Sequence, residues 1–343
     1  MAVQTHFIKF HNKIKLTRES VDYRDARDKD SSILSQVRTA FCSAGYPVID
    51  DFLQGSFSTN TAIQSLDGDF DIDRAVVVAF DKAPDDPVTA KRKVKEVLDN
   101  RGFRNAKIKK PCVTADYASL NLHIDIPIYA KDGESYKLAL GKANSTSVNR
   151  KWSDSDPKGL RNWINDTSSY TYSPNDTQQQ FIRLVRYIKR WRDHKFSADV
   201  RRKVYSIGLT VIIKQCFQPC FDQEGKPDDL RALKETVDRI LRSGYFHLVG
   251  VSKYKISVML PVTPRMDIFA NSSSDTGTQL QNKFVNLQTK LGEVQREADE
   301  SKQCEILNKL FGADFEVPED SSGAKSSLAS FSSAGVVGTS QGA

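Results

Sequence analysis

Two aspartates, Asp71 and Asp73, stand two apart in the run FDIDRAVVV, and a third, Asp125, interrupts the apolar run HIDIPIYA. Residues two apart in a strand project from one face, so Asp71 and Asp73 point together while Phe70 and Ile72 turn the other way. Two carboxylates on an otherwise apolar strand repel each other and lose hydration unless cations sit between them. Asp125 has the same setting, because Leu122, Ile124, Ile126 and Ile128 all face away from it. Three such acids suit a pair of hard divalent ions, Mg²⁺ or Mn²⁺, which take carboxylate oxygens and leave room for substrate phosphates. In a two-metal site one ion lowers the pKa of a nucleophile and the other clamps a triphosphate and its leaving oxygen. The plainer alternatives are a solvated turn or calcium loop at DGDFDID, and an ion pair of Asp125 with Lys107 or Lys109. An EF-hand fails, since its glycine and terminal glutamate positions do not match and a hydrophobic strand follows at once.

Upstream of the paired acids, Gly55 and Ser56 follow an apolar strand and precede an expected helix beginning near Thr59. Glycine there lets a phosphate approach the backbone, while the serine hydroxyl and helix-end amides donate to it. A Gly-Ser pair alone carries little information. Its order, ahead of an acid-x-acid strand and a later isolated acid, is what makes it informative.

These residues need elements to hold them. Residues 4–45 read as long helices, with the Asp- and Arg-rich stretch 22–30 as their exposed middle. Between 47 and 140 the pattern becomes short apolar strands broken by one helical stretch, VTAKRKVKEVLDN, which predicts a mixed sheet with few covering helices. From 151 onward the pattern is helical. Ser173, Pro174 and Asp176 form a helix start with a capping hydroxyl. The helix beyond repeats Phe181, Leu184, Ile188 and Trp191 at core spacing, which leaves Arg183, Arg186 and Arg190 outside. Further helices are expected at 205–218, 227–243, 276–299 and 301–311. The organisation is α+β: residues 1–150 as a sheet lobe including bridging N-terminal helices, 151–316 as a helical lobe, and 317–343 as a flexible tail. The tail, built mainly of Ser, Ala and Gly, cannot bury enough apolar surface to offset its ordering entropy.

The 343 residues are 39% hydrophobic and 27% charged, which excludes a fibrous or wholly disordered chain. No apolar run reaches the length of a membrane helix, and the N-terminus has no signal-peptide block, so the expected location is cytoplasmic. The net charge of +7 favours anionic partners, nucleotides and nucleic acid alike, without choosing between them. Basic residues concentrate in 91–110, in 181–195 and at Arg201, Arg202 and Lys203. Five cysteines make a disulfide framework improbable. Cys216 and Cys220 have no nearby His or second Cys pair and read as buried thiols at a helix end rather than a zinc site.

The ordered set QGSFSTNTAI, DFDIDRAVVV, HIDIPIYA, DPKGLRNWI, FIRLVRYIKRWRD and FGADF resembles the bacterial cGAS-like nucleotidyltransferases, or CD-NTases, of the DNA-polymerase-β-like superfamily, from about residue 5 to 316. The resemblance implies a nucleotidyltransferase lobe joined to a helical lobe with the active site between them. It implies synthesis of a cyclic di- or trinucleotide signal from nucleoside triphosphates, ATP first among them, in the anti-phage systems called CBASS. Asp71, Asp73 and Asp125 would then be the catalytic metal ligands. Gln54 and Ser56 would contact donor phosphate, with Gly55 between them. Lys189 would reach the triphosphate from the helical lobe, against the plain reading of an exposed helix lysine. Ser206 would contact phosphate and cap its helix, and Asp267 would approach a base. A flexible tail ending in Gln341, Gly342 and Ala343 resembles those relatives whose C-terminus is conjugated by a ubiquitin-transfer-like enzyme. Nothing matches the zinc loop of the animal DNA sensor, so direct DNA sensing is not expected. Arg74 departs from the small or acidic residue that many relatives carry there, which leaves subgroup and base choice open. The open alternatives are a linear oligoadenylate synthase, a single-nucleotide transferase, and an inactive nucleic-acid-binding relative.

Overall fold

The computed structural model describes residues 2–66, 70–101, 103, 105–117 and 122–318. The tail from 319, including Gln341, Gly342 and Ala343, lies outside the described residues, as does the 67–69 part of the acidic run.

The sheet is built around β2 (Phe70–Ala79), whose β-branched run 76–78 is fully buried, as expected of a strand covered on both faces. Along one edge, β5 (Leu122–Ile126) and β6 (Ile128–Asp132) form one line parallel to β2, interrupted only at Pro127. The Pro127 carbonyl still accepts from the Val76 amide at 3.0 Å, so the proline costs the ladder nothing on that side. β1 (Val48–Leu53) pairs antiparallel on the other edge. Outward from the β5–β6 line run β4 (Val113–Tyr117) with β3 (Lys107–Ile108), and β7 (Ser135–Leu140) with β8 (Lys151–Ser155). The mixed sheet is thus as expected, but residues 151–155 form its edge strand rather than starting the helical region.

Alternation divides the sheet. Ile72, Val76 and Val78, with Ile124, Ile126 and Ile128, pack beneath α2 (Val21–Ser43) and α4 (Pro87–Asn100) in one core. The opposite face carries the odd-numbered residues, Asp71 and Asp73 first, then Ala75 and Val77 against Tyr129 and Tyr136. The stretch 22–30 is not simply the exposed middle of a helix. Tyr23 is buried on Phe57, and the buried Asp30 accepts from Arg74 Nε at 2.9 Å. Arg74 also donates to Asp51 of β1 at 3.0 Å, so it cross-links the back of β2 to α2 and β1.

The second core gathers α1 (Ala2–Ile14), α5 (Pro157–Asn165), α6 (Pro174–Lys195), α8 (Ser206–Cys216), α9 (Asp229–Arg242), α10 (Ser274–Arg296) and α11 (Glu300–Phe311). A short α3 (Gly55–Ser58) and α7 (Ala198–Arg201) complete the α-helices among the described residues, and a hairpin of β9 (Phe246–Gly250) and β10 (Lys253–Ile256) packs beside α10. The N-terminal helices divide between the cores: α1 joins the helical one and α2 the sheet. Phe311 and Phe315, stacked on each other, close the helical core through edge-on contacts with Phe7 and tilted ones with Phe10, and Phe311 also meets Tyr187 at a tilt.

Helix α6 starts at Pro174 as expected, but Ser173 adopts a left-handed backbone (φ 37°) and its hydroxyl donates to Asp176 instead of capping an amide. The expectation that Arg183, Arg186 and Arg190 lie outside is wrong. Because α6 is the central helix of its lobe, the face opposite its apolar stripe is covered too. Arg183 makes a forked pair with Asp229 at 2.6 and 2.8 Å, and Tyr187 donates to the same carboxylate at 2.9 Å. Arg186 donates to the Ala62 carbonyl at 3.1 Å and faces His11, whose pKa burial and the arginine depress to about 3, keeping it a neutral acceptor. Cys216 and Cys220 are buried free thiols, as read from the sequence.

Removing one partner of a buried pair leaves an uncompensated charge and costs roughly 3–5 kcal/mol. Asp229→Ala is therefore expected to lower the thermal midpoint by roughly ten degrees, given a few degrees per kcal/mol. A shift of under about two degrees would show that Arg183 finds water instead.

Candidate active site

Register creates the site. Asp73 of β2 lies directly beside Asp125 of β5, and Asp71 lies beside His123, in parallel pairing that keeps neighbouring side chains on one face. On the other side of β5, Thr114 stands opposite Asp125 and Asp116 opposite His123. Two rows therefore cross the sheet, Thr114–Asp125–Asp73 and Asp116–His123–Asp71. Thr114 Oγ1 donates to Asp125 Oδ1, and His123 Nδ1 lies 2.6 Å from Asp116 Oδ1. All three predicted acids open into one cleft of about 1300 Å³ between the sheet and the helical core.

The like charges are costly there. Burial, then Asp125, then Asp71 push the Asp73 carboxyl up from 3.8 to about 7, with Lys189 and Lys109 opposing weakly. Among the described residues no three His, Cys, Asp or Glu side chains form a closed, preformed metal cluster. Asp125 instead accepts from Thr114 and forms a looser ion pair with Lys109 Nζ at 3.8 Å. The ion pair anticipated as the plain alternative thus exists, alongside the shared acidic face. An all-oxygen donor set in which the neighbouring charges raise the proton affinity of Asp73 fits a hard divalent cation, because the cation relieves the same repulsion that a proton does.

The predicted Gly-Ser turn packs onto these acids, although its helix begins at Gly55 and ends at Ser58, not near Thr59. The Gln54 amide donates to the Asp73 carbonyl at 3.0 Å, which ties the turn to β2. Gly55 has φ +63°, and a Cβ there would sit 2.0 Å from Asp73 Oδ2. Only glycine permits both the backbone and the close approach. Gln54 Oε1 accepts from the buried Tyr129 hydroxyl at 3.2 Å, which turns the amide nitrogen of its side chain away from Tyr129; Gln54 and Ser56 both line the cleft.

Lys189 lies in the cleft wall but is buried rather than exposed. Its Nζ donates to the carbonyl and hydroxyl of Thr61 at 2.9 and 3.2 Å, and burial with Arg192 and Arg186 nearby lowers its pKa to about 7. Ser206 also lines the cleft, yet it is the first residue of α8 and not its cap, which is Tyr205. Its hydroxyl accepts from Arg192 at 2.6 Å. Asp267 faces the cleft with Oδ1 committed to the Val258 and Phe269 amides at 2.9 Å each, so its visible task is to shape the loop. Arg192, Thr114 and Tyr129 escaped the sequence reading. Thr114 and Tyr129 acquire meaning only from strand register, and Arg192 from the return of α8 beside α6.

Two outcomes follow from this geometry. A raised carboxyl pKa stabilises the fold fully below about pH 4, and that contribution is lost as pH rises through about 7. In chelator, the melting temperature of Asp73→Asn should therefore exceed wild type at pH 8, with the gap closing toward pH 4. Added Mg²⁺ should raise the wild type and not the variant; parallel pH curves would contradict this. Gly55→Ala should lose at least about tenfold in nucleotide affinity, the scale of one lost charge-assisted contact, while a variant binding like wild type would show that the turn adapts.

Comparison with known proteins agrees with this geometry. Residues 50–129 match the family model described as Cyclic GMP-AMP synthase DncV-like, nucleotidyltransferase domain. A protein of Escherichia albertii named Cyclic GMP-AMP synthase is 32% identical over 175 residues, covering 48% of this chain and 36% of that protein. The match thus spans about a third of that relative's length. The fold matches the Vibrio cholerae DncV cyclic AMP-GMP synthase, a prokaryotic cGAS homolog, with TM-score 0.68 and 17% identity over 89% of this chain and 93% of that one. A second structure of that synthase, in complex with the linear intermediate 5′ pppA(3′,5′)pG, gives TM-score 0.69 at 16% identity, covering 89% and 93% of the two chains. Residues 50–129, which hold the three acids and the glycine turn, are thus similar to a DncV-like nucleotidyltransferase domain, and the chain has the fold of the Vibrio cholerae synthase.

Proposed function

We propose that the chain is a cyclic-oligonucleotide synthase that joins nucleoside triphosphates through the cleft between its two cores. The observation that carries this is the register of Asp73 against Asp125, with Asp71 on the same face and the 54–58 turn packed on Asp73. Asp71, Asp73 and Asp125 would hold two Mg²⁺ or Mn²⁺ ions, whose chemistry when bound is charge neutralisation at the triphosphate and a lowered pKa for the attacking hydroxyl. Gln54 and Ser56 would orient the donor phosphates. Lys189, anchored on Thr61, would add positive charge from the helical side, and Ser206, held by Arg192, would contact phosphate from the same wall of the cleft. A ribose hydroxyl oxygen then bonds to the α-phosphorus as the bond to the departing pyrophosphate breaks, and the hydroxyl proton passes toward Asp125. The chain contributes mainly positioning and preorganised charge.

Ring closure is supported by the relatives: the Escherichia albertii protein is named for a cyclic product, and the Vibrio cholerae enzyme was captured with a linear intermediate. A role in CBASS defence, and conjugation through Ala343, extend the same reading. Among the described residues no helix is long and apolar enough to cross a membrane.

Incubating the protein with all four nucleoside triphosphates and Mg²⁺ or Mn²⁺ should give a phosphatase-resistant product of cyclic mass. The double variant Asp71→Asn, Asp73→Asn should lose on the order of 10³ or more in rate, the scale of lost preorganised charge. A phosphatase-sensitive linear product would make the chain an oligonucleotide synthase without closure. Undiminished activity in the double variant would overturn the assignment of the acids. For the tail, co-expression with a ubiquitin-transfer-like enzyme should give an adduct through Ala343 by mass spectrometry, and its absence ends that idea.

A further inference from the structure

The turn between β3 and β4 is tied down from several sides. Lys109, Lys110 and Pro111 line the cleft on the side of β5 away from β2. The Lys109 amide donates to the Cys112 carbonyl at 2.9 Å, closing the turn. Beneath it lies Lys91 of α4, a lysine with no exposed surface. Its ammonium donates to three carbonyls, Lys109 at 3.2 Å, Lys110 at 2.6 Å and Gly141 at 3.1 Å. The Gly141 amide returns a bond to the Lys110 carbonyl at 3.0 Å, so the turn is bolted to the end of β7. A buried ammonium solvated by carbonyls alone is an expensive way to stabilise a turn. What it fixes is the backbone of Lys109, whose half-exposed side chain reaches to 3.8 Å from Asp125 Oδ1.

The two sides of the acid row are not equivalent. The Gly55 turn follows β1 and packs on Asp73 from one side, whereas Lys109 approaches Asp125 from the other. If the Gly55 turn holds the donor phosphates, Lys109 faces the acceptor. Once divalent charge occupies the acids, an ammonium so close to Asp125 is repelled unless an anion lies beside it. The anion available in a nucleotide-filled cleft is a phosphate.

We propose that Lys109 contacts the phosphate of the acceptor-side nucleotide, and that Lys91 is the positioning residue that holds it there. This rests on the reading of the cleft as a nucleotidyltransferase site. A contact of this kind also retains the linear intermediate between the first and second transfers, because the intermediate carries the same phosphates.

The test measures steady-state synthesis and the ratio of linear to cyclic product for Lys109→Gln, Lys109→Arg and Lys91→Met. Lys109→Gln should raise KM for nucleoside triphosphate by about tenfold, the scale of one charge-assisted hydrogen bond, with a smaller fall in kcat. Its linear-to-cyclic ratio should rise, and Lys109→Arg should restore most of both. Lys91→Met should move both quantities in the same direction although residue 109 is unchanged; if it does not fold, the Lys109 variants decide. Unchanged KM and product ratio in Lys109→Gln, with wild type active, overturns this inference alone. A wild type that forms no phosphodiester product overturns both this inference and the function it rests on.

Discussion

Repulsion among three carboxylates on one sheet face is the constraint around which the rest of the molecule is arranged. Parallel pairing of β2 with β5 sets Asp73 against Asp125, and a shift of one residue would turn either acid into the apolar core. The register is therefore enforced from the buried side, where Ile72, Ile124 and Ile126 pack under α2 and α4. Arg74 adds a second lock by pairing with Asp30 and Asp51 behind the strand. Arg74 thus serves the back of β2 and is not among the residues that line the cleft.

The helical core holds the other wall through one short segment. Residues 61–64 run between the Gly55 turn and the acidic strand, and three basic side chains of α6 grip their carbonyls. Lys189 donates to Thr61, Arg186 to Ala62 and Arg190 to Gln64. The α1 end joins in, with the Gln64 amide donating to Ile14 at 2.9 Å. Each of these cations is buried, and the backbone carbonyls of the segment supply them with acceptors there. A displacement of α6 would be felt directly at the turn that packs on Asp73.

Much of this was legible in the sequence because local patterns carried it. The strand alternation around Asp71 and Asp73, the isolated Asp125, and the apolar stripe Phe181, Leu184, Ile188 and Trp191 each follow from spacing alone. What failed was whatever depends on tertiary cover. Arg183, Arg186 and Arg190 look like an exposed face, and become buried only because α9, α1 and the 61–64 segment surround α6. Ser206 sits at a helix start, yet the Arg192 beside it determines what its hydroxyl does. Strand β8, KWSDS, lacks a clean period-two pattern, and its pairing with β7 defines it. Thr114 and Lys91 carry no signal in a single sequence; one matters through register, the other through three carbonyls from two separate turns.

The proposed function requires the three aspartates together to hold two divalent ions against a nucleotide. Its most direct test is anomalous diffraction from crystals of the protein grown with Mn²⁺ and a non-hydrolysable nucleoside triphosphate. Two manganese peaks are expected roughly 3.5–4 Å apart, both within coordination distance of Asp73, one also touching Asp125, with triphosphate oxygens completing the shells. A nucleotide bound in the cleft with manganese absent from the acids, or with Asp125 left on Thr114 and Lys109 and touching no metal, would contradict it.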